Sequence, residues 1–195
     1  MADTLRIITL NCWGLKYLSK ARNERLSQIG TEIATADPQP SIVGLQECWT
    51  QQDYNAIRDR TRHMLPYGKF YYSGVLGGGL AILSKWRIEE SSMIPYKLNG
   101  RPTAFFRGDW YAGKGVACAK IRIGDGRFVE VFCTHVCYLS FPIFNSLGSQ
   151  GAKIEKPSFT LRMKKNPMIL IFVTELLRPG RYRSSCEVLT RKETL

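Results

Sequence analysis

Two continuous apolar runs open the chain, each ending abruptly in a polar side chain. Leu5-Arg6-Ile7-Ile8-Thr9-Leu10 stops at Asn11-Cys12-Trp13-Gly14, and Ser41-Ile42-Val43-Gly44-Leu45-Gln46 stops at Glu47-Cys48-Trp49. Short, β-branched and nearly uninterrupted runs of this kind predict strands buried on both faces. Between them, Leu26, Ile29, Ile33 and Ala34 recur at helical spacing opposite Arg22, Arg25 and Glu32, predicting a helix over 20–35 that Asp37-Pro38-Gln39-Pro40 ends. A second helix is expected over 51–64, with Arg58, Asp59, Arg60 and Arg62 on a solvated face and His63 in a structural role. Strands follow at 69–73, 80–84 and 88–95. The first two form a hairpin around Gly77-Gly78-Gly79, a turn rather than a phosphate cradle because no helix succeeds it. A further antiparallel pair, 115–123 and 127–134, turns at Gly124-Asp125-Gly126. Strands alternating with helices early and hairpins later give an α/β fold.

In α/β sheets, ligands gather at the carboxyl ends of strands. If the first two strands are neighbours, Asn11 and Glu47 meet at one rim. A carboxylate beside an amide is a hard-oxygen site suited to Mg²⁺, Mn²⁺ or Ca²⁺. A third apolar run, Phe128 to Cys133, delivers Thr134-His135. Between the hairpins, the stretch 101–115 mixes Arg101, Arg107 and Lys114 with four aromatic residues and three glycines, a composition that suits a phosphate and an apolar tail together. It is not a nucleotide P-loop, because Gly113-Lys114 is not followed by Ser or Thr at a helix start.

These motifs carry a resemblance. "LNCWG", "LQECW" and "CTH" resemble the endonuclease/exonuclease/phosphatase (DNase I-like) superfamily, in its neutral sphingomyelinase branch with the fungal inositol phosphosphingolipid phospholipases C, over about residues 4–135. The resemblance implies an incomplete DNase I-like four-layer α/β/β/α sandwich with mixed sheets. It implies Mg²⁺-dependent hydrolysis of a phosphosphingolipid to ceramide and a phosphorylated head group, with Mn²⁺ as a substitute cation. Glu47 would hold the metal, Asn11 would support its phosphate side, and His135 would bind the scissile phosphate. Asp109 and Lys114, five apart as in the family's substrate loop, would order the substrate together with Arg107. The Gly77–Gly79 hairpin would be scaffold.

Composition narrows this further. At 195 residues with 44% apolar content, one domain with a core is expected. The start has no signal-like charged and apolar succession, and the longest apolar run, Pro167 to Val173, is far shorter than a bilayer span. Cysteines 12, 48, 118, 133, 137 and 186 show no framework spacing, so reduced thiols and a cytoplasmic setting are expected. Cys133, His135 and Cys137 lack a second pair for zinc. Net charge is +12. Residues 1–135 hold 18 Lys and Arg against 12 Asp and Glu, and 136–195 hold 10 against 4, so under a third of the chain carries half the excess.

Beyond His135 the family pattern stops. No "LHAPY", no Gly-Asp-x-Asn strand end and no third histidine follows. The missing Asp-Asn pair would bind metal and phosphate, and the missing histidine would be the general base. The expectation is a retained intron over 136–157 and a frame-shifted exon over 158–195. Val136-Cys137 is encodable as GTATGT, a splice donor. The interval from there to an AG within the Ser158 codon spans 22 codons and two bases, so its removal shifts the frame. Codons exist for 158–170 whose shifted reading is "LHAPYEKEPNDS".

The chain so read is catalytically inactive, with open sheet edges. Its partners would be a phosphosphingolipid and an anionic phospholipid surface, with no nucleic acid and no assigned oligomeric state. The resemblance implies that full-length members of the branch associate with membranes through C-terminal segments, which would be absent here. Two other classes remain open: a metal-dependent nuclease of the same superfamily, which the basic charge suits, and a non-catalytic lipid- or protein-binding remnant. The genomic sequence is expected to read GTATGT across codons 136–137; any other hexanucleotide there contradicts the intron.

Overall fold

The computed structural model describes residues 4–14, 19, 21–72, 78–96, 115–123, 126–137, 158–162, 168–178 and 181–190, the stretches from 136 onward by backbone path alone. The candidate loop residues Arg107, Asp109 and Lys114 lie outside the described residues.

The order is β1 (Thr4–Asn11), α1 (Arg22–Ala34), β2 (Ile42–Gln46), α2 (Gln51–Thr61), β3 (Tyr67–Tyr71), β4 (Leu80–Ser84), β5 (Ile88–Pro95), β6 (Gly115–Ile123), β7 (Arg127–Cys137), β8 (Ser158–Arg162), β9 (Met168–Arg178) and β10 (Arg181–Thr190). Two mixed five-stranded sheets result, ordered β3-β4-β2-β1-β8 and β10-β9-β7-β6-β5. β1 and β2 run parallel, joined by α1 as a parallel pair requires, with Ile7 opposite Ile42 and Asn11 opposite Gln46. β4 returns antiparallel on β2, and β3 on β4, so the expected hairpin forms.

Two core clusters define the layers. Leu5, Ile7, Ile42, Leu80 and Ile82 meet Ala117, Ile121, Val129 and Val131 between the sheets. Val43, Leu45, Ala81 and Leu83 face the other way, against Leu26 and Ile33 of α1 and Ile57 of α2. β2 and β4 are buried at every position, which their uninterrupted apolar runs reflect. β1 differs: Ile8 and Leu10 are only partly covered beside α1, so its outer side is less enclosed than the sequence suggests. Among the described residues the layers are helix, sheet, sheet, and no helix covers the outer side of the second sheet.

α2 starts in a capping box. The Thr50 side chain accepts from the Asp53 N–H, and the Asp53 carboxylate accepts from the Thr50 N–H, each at 3.1 Å. The helix ends three residues earlier than its pattern suggests. Arg58 is not simply solvated: it donates to the carbonyls of Leu65 (2.8 Å) and Pro66, tying the chain that leaves the helix. Asp59, Arg60, Arg62 and His63 are exposed, as a solvated face requires.

Two expectations need correction. β7 does not stop at Thr134 but continues through His135 to Cys137, because β9 pairs alongside it in parallel up to that point. The incomplete sheets expected are also extended from the tail, although each stays open, with edges at β3 and β8 in one and at β10 and β5 in the other. β8 pairs antiparallel with β1, and β9 carries β10 beyond β7. The apolar, β-branched stretch Met168–Val173 has strong strand propensity, which accounts for its pairing. No helix among the described residues is long and apolar enough to cross a membrane.

Ile82 lies fully buried between the sheets. Ile82→Ala is expected to cost about 2–5 kcal/mol in denaturant unfolding. A cost below about 1 kcal/mol would mean that the sheets do not pack face to face there.

Candidate functional site

The parallel register of β1 and β2 sets Asn11 and Glu47 on one rim. The Asn11 Nδ2 donates to Glu47 Oε1 at 2.8 Å. From the second sheet, His135 Nε2 approaches the same oxygen at 3.5 Å. Three chain segments thus converge on one carboxylate oxygen. Glu47 is 7% exposed and His135 5%. A buried carboxylate is costly unless donors or a cation offset its lost hydration. The amide supplies one donor, and a protonated His135 would add a charge-assisted second.

Local backbone geometry aims these groups. Glu47 sits at φ +52° and Trp13 at φ +46°, both in the left-handed region that non-glycine residues seldom adopt. The segment after β1 wraps the Glu47 backbone: Cys12 N–H donates to the Gln46 carbonyl at 2.8 Å and Gly14 N–H to the Glu47 carbonyl at 2.9 Å. A Cβ on residue 14 would lie 2.4 Å from that carbonyl oxygen, so glycine is required by close approach. Asn11 Oδ1 in turn accepts from the Trp13 N–H at 2.8 Å.

A polar link that the sequence did not reveal joins the sheets beneath the site. The fully buried Gln46 donates from Nε2 to Thr9 Oγ1 at 3.0 Å on β1 and to Cys133 Sγ at 3.1 Å on β7. An amide inside an otherwise apolar strand was the available signal. One strand position further, Thr134 Oγ1 donates to the Gly115 carbonyl at 3.1 Å and shares a hydrogen bond with the Tyr96 hydroxyl. Of the glycine stretch, Gly79 lies against the Trp49 ring, and its carbonyl accepts from the Cys48 N–H at 3.0 Å; Gly77 lies outside the described residues.

Cys12, Cys48 and Cys133 are buried free thiols, and Cys118 is partly exposed. Burial pushes all four thiols up. For Cys133 the rise is from 9.0 to about 12, with the Gln46 amide pulling modestly the other way. They are packing groups rather than nucleophiles.

For a metal, the donor set is one buried anionic oxygen next to an amide. No cluster of three or more His, Cys, Asp or Glu side chains suited to a cation occurs among the described residues. One carboxylate fits Mg²⁺, which retains several waters and commonly binds through one or two carboxylates plus substrate phosphate. It does not fit zinc, which takes at least three protein ligands.

The chain belongs to the endonuclease/exonuclease/phosphatase family, whose sequence profile matches residues 8–118. Within it, the chain is similar to inositol phosphosphingolipids phospholipase C of Schizosaccharomyces pombe, at 48% identity over 135 residues, 69% of this chain and 31% of that protein. The Saccharomyces cerevisiae protein of the same name is 36% identical over 155 residues, covering 69% and 32%, and sphingomyelin phosphodiesterase 2 of Mus musculus is 35% identical over 132, covering 68% and 31%. The chain spans about a third of the length of the curated relatives it matches. Sphingomyelinase C from Streptomyces griseocarneus shares the fold, with TM-score 0.60 and 16% identity, over 88% of this chain and 64% of that one. So does a Staphylococcus aureus beta toxin variant with bound magnesium ions, with TM-score 0.59 and 16% identity over the same shares.

An unfolded thiol ionises near pH 9.0, whereas Cys133 in the fold holds its proton to about 12. Between those values the unfolded state binds fewer protons, so stability falls as pH rises. Cys133→Ser is expected to flatten that decline between pH 9.5 and 11 by up to about 1.4 kcal/mol per pH unit, read by denaturant unfolding. An unchanged slope would mean that Cys133 is exposed.

Proposed function

We propose that this chain carries the metal- and phosphate-facing half of a phosphosphingolipid phosphodiesterase site. The observation that carries the reading is the convergence of Asn11 Nδ2 and His135 Nε2 on Glu47 Oε1 from two sheets. Glu47 holds Mg²⁺, or Mn²⁺ in its place, and Asn11 fixes the carboxylate. His135 is placed to donate an N–H to a phosphate oxygen and to balance the charge that grows there. Arg107, Asp109 and Lys114 order the substrate loop. The cation, when bound, polarises the phosphoryl group. In the overall reaction water forms a new bond to phosphorus, the bond from phosphorus to the ceramide oxygen breaks, and that oxygen takes a proton. The names of the relatives support a sphingolipid substrate, and a cytoplasmic protein meeting an anionic phospholipid surface is the setting.

As written, the chain lacks a histidine general base for the water, because His63, just past the end of α2, is exposed and no histidine besides it and His135 is present. We read 136–157 as retained intron and 158–195 as frame-shifted exon. In support, the relatives match only 68–69% of the chain, leaving unmatched a stretch the size of this tail.

The test compares the purified chain with the product of the spliced transcript in Mg²⁺-dependent release of phosphocholine from sphingomyelin micelles. The spliced product is expected to be active and to lose activity in Glu47→Gln. The chain as written is expected to be at least about 100-fold slower, the usual contribution of a general base. Comparable turnover by both would overturn the reading of the tail. Salt-sensitive, Mg²⁺-dependent DNA cleavage by the spliced product, without lipid hydrolysis, would assign it as a nuclease instead.

A further inference from the structure

The strained segment 11–14 is gripped from behind by α1. Its three consecutive carbonyls leave the sheet, and each meets a guanidinium. Arg25 donates from Nη1 to the Cys12 carbonyl at 2.6 Å and from Nη2 to the Trp13 carbonyl at 2.7 Å, and Arg22 donates from Nε to the Gly14 carbonyl at 2.7 Å. Ser19 Oγ adds a bond to the Trp13 carbonyl at 2.7 Å. Arg25 also lies 5.0 Å from the centroid of the Trp13 ring, which is 40% exposed. Arg22 is itself held: its Nη2 pairs with Asp53, 1% exposed, and reaches Thr50 Oγ1 at 3.4 Å. Asp53 therefore serves at once as capping-box acceptor for α2 and as counter-ion for Arg22.

Left-handed backbone at a non-glycine residue is costly and persists only where the surroundings over-determine it. Here they do so on both sides. The N–H groups of residues 12–14 face Gln46, Asn11 and Glu47, while the carbonyls of the same residues face Arg25 and Arg22. Hydrogen bonds from a charged donor are roughly twice as strong as neutral ones, and the planar Arg25 fork spans two adjacent carbonyls at once.

We propose that Arg25 and Arg22 are positioning residues for the cation site, fixing the 11–14 segment so that Asn11 and Glu47 present their side chains in the cation-binding geometry. This rests on Glu47 as the metal ligand. Neither arginine touches the reacting groups; each acts through main-chain carbonyls. Groups of this kind behind a metal site commonly change metal affinity by 10–100-fold.

The experiment measures Mn²⁺ dissociation constants of the full chain by water-proton relaxation, alongside melting temperature. Parent, Glu47→Gln, Arg25→Met, Arg25→Lys, Arg22→Met, Leu26→Ala and the exposed Arg62→Met are compared. Parent and Arg62→Met are expected to bind Mn²⁺ alike. Arg25→Met and Arg22→Met are expected to bind at least about tenfold more weakly. Arg25→Lys, which keeps the charge and loses the fork, is expected to weaken binding as well. Leu26→Ala, which loosens α1 in the core, should lower the melting temperature with little change in affinity. If the arginine variants bind as the parent does, or no more weakly than Leu26→Ala, the positioning role is refuted while Glu47 stands. If the parent itself fails to bind, or binds no better than Glu47→Gln, the reading of the site fails, and the positioning role with it.

Discussion

β1 and β2 lie side by side and parallel, with Asn11 level with Gln46, and this register governs everything built at the rim. A slip of one residue would turn Gln46 out of the space between the sheets and carry Glu47 away from Asn11. The register is enforced twice. The apolar positions Ile7 and Ile42 must both enter the inter-sheet core, and the segment after β1 must bind the Gln46 and Glu47 carbonyls through Cys12 and Gly14. Fold and site therefore share one constraint.

Gln46 extends the constraint to the second sheet. Its amide reaches Thr9 on one side and Cys133 on the other, two residues from His135 along β7. An unsatisfied buried amide costs more than a satisfied one returns, so this link resists any shift of one sheet against the other. His135 meets Glu47 because β7 is held at that height. β9 alongside β7 carries the strand past His135, so the imidazole projects from regular strand rather than from a loose end.

Much of this was legible in the sequence, where local pattern decides. Runs of uninterrupted apolar residues marked β2 and β4, helical spacing marked α1, and an amide and a carboxylate at matching strand ends marked Asn11 and Glu47. What stayed hidden depends on contacts between distant segments. Arg22 and Arg25 read as the polar side of a helix, because nothing in their spacing shows that three main-chain carbonyls lie against that side. Gln46 read as part of an apolar strand. The length of β7 was underestimated because its parallel neighbour comes from a stretch some thirty residues on. The family resemblance told where chemistry should gather; only the packing tells what holds it there.

The central claim is that side chains from β1, the end of β2 and β7 surround one cation. The chain contains two histidines, His135 at the site and His63 exposed beyond α2, so each reports separately in a proton NMR spectrum. Adding Mn²⁺ at substoichiometric ratio should broaden the His135 imidazole signals beyond detection and leave those of His63 sharp, whereas in Glu47→Gln both should stay sharp. Equal broadening of both, or broadening of His63 alone, would contradict the account.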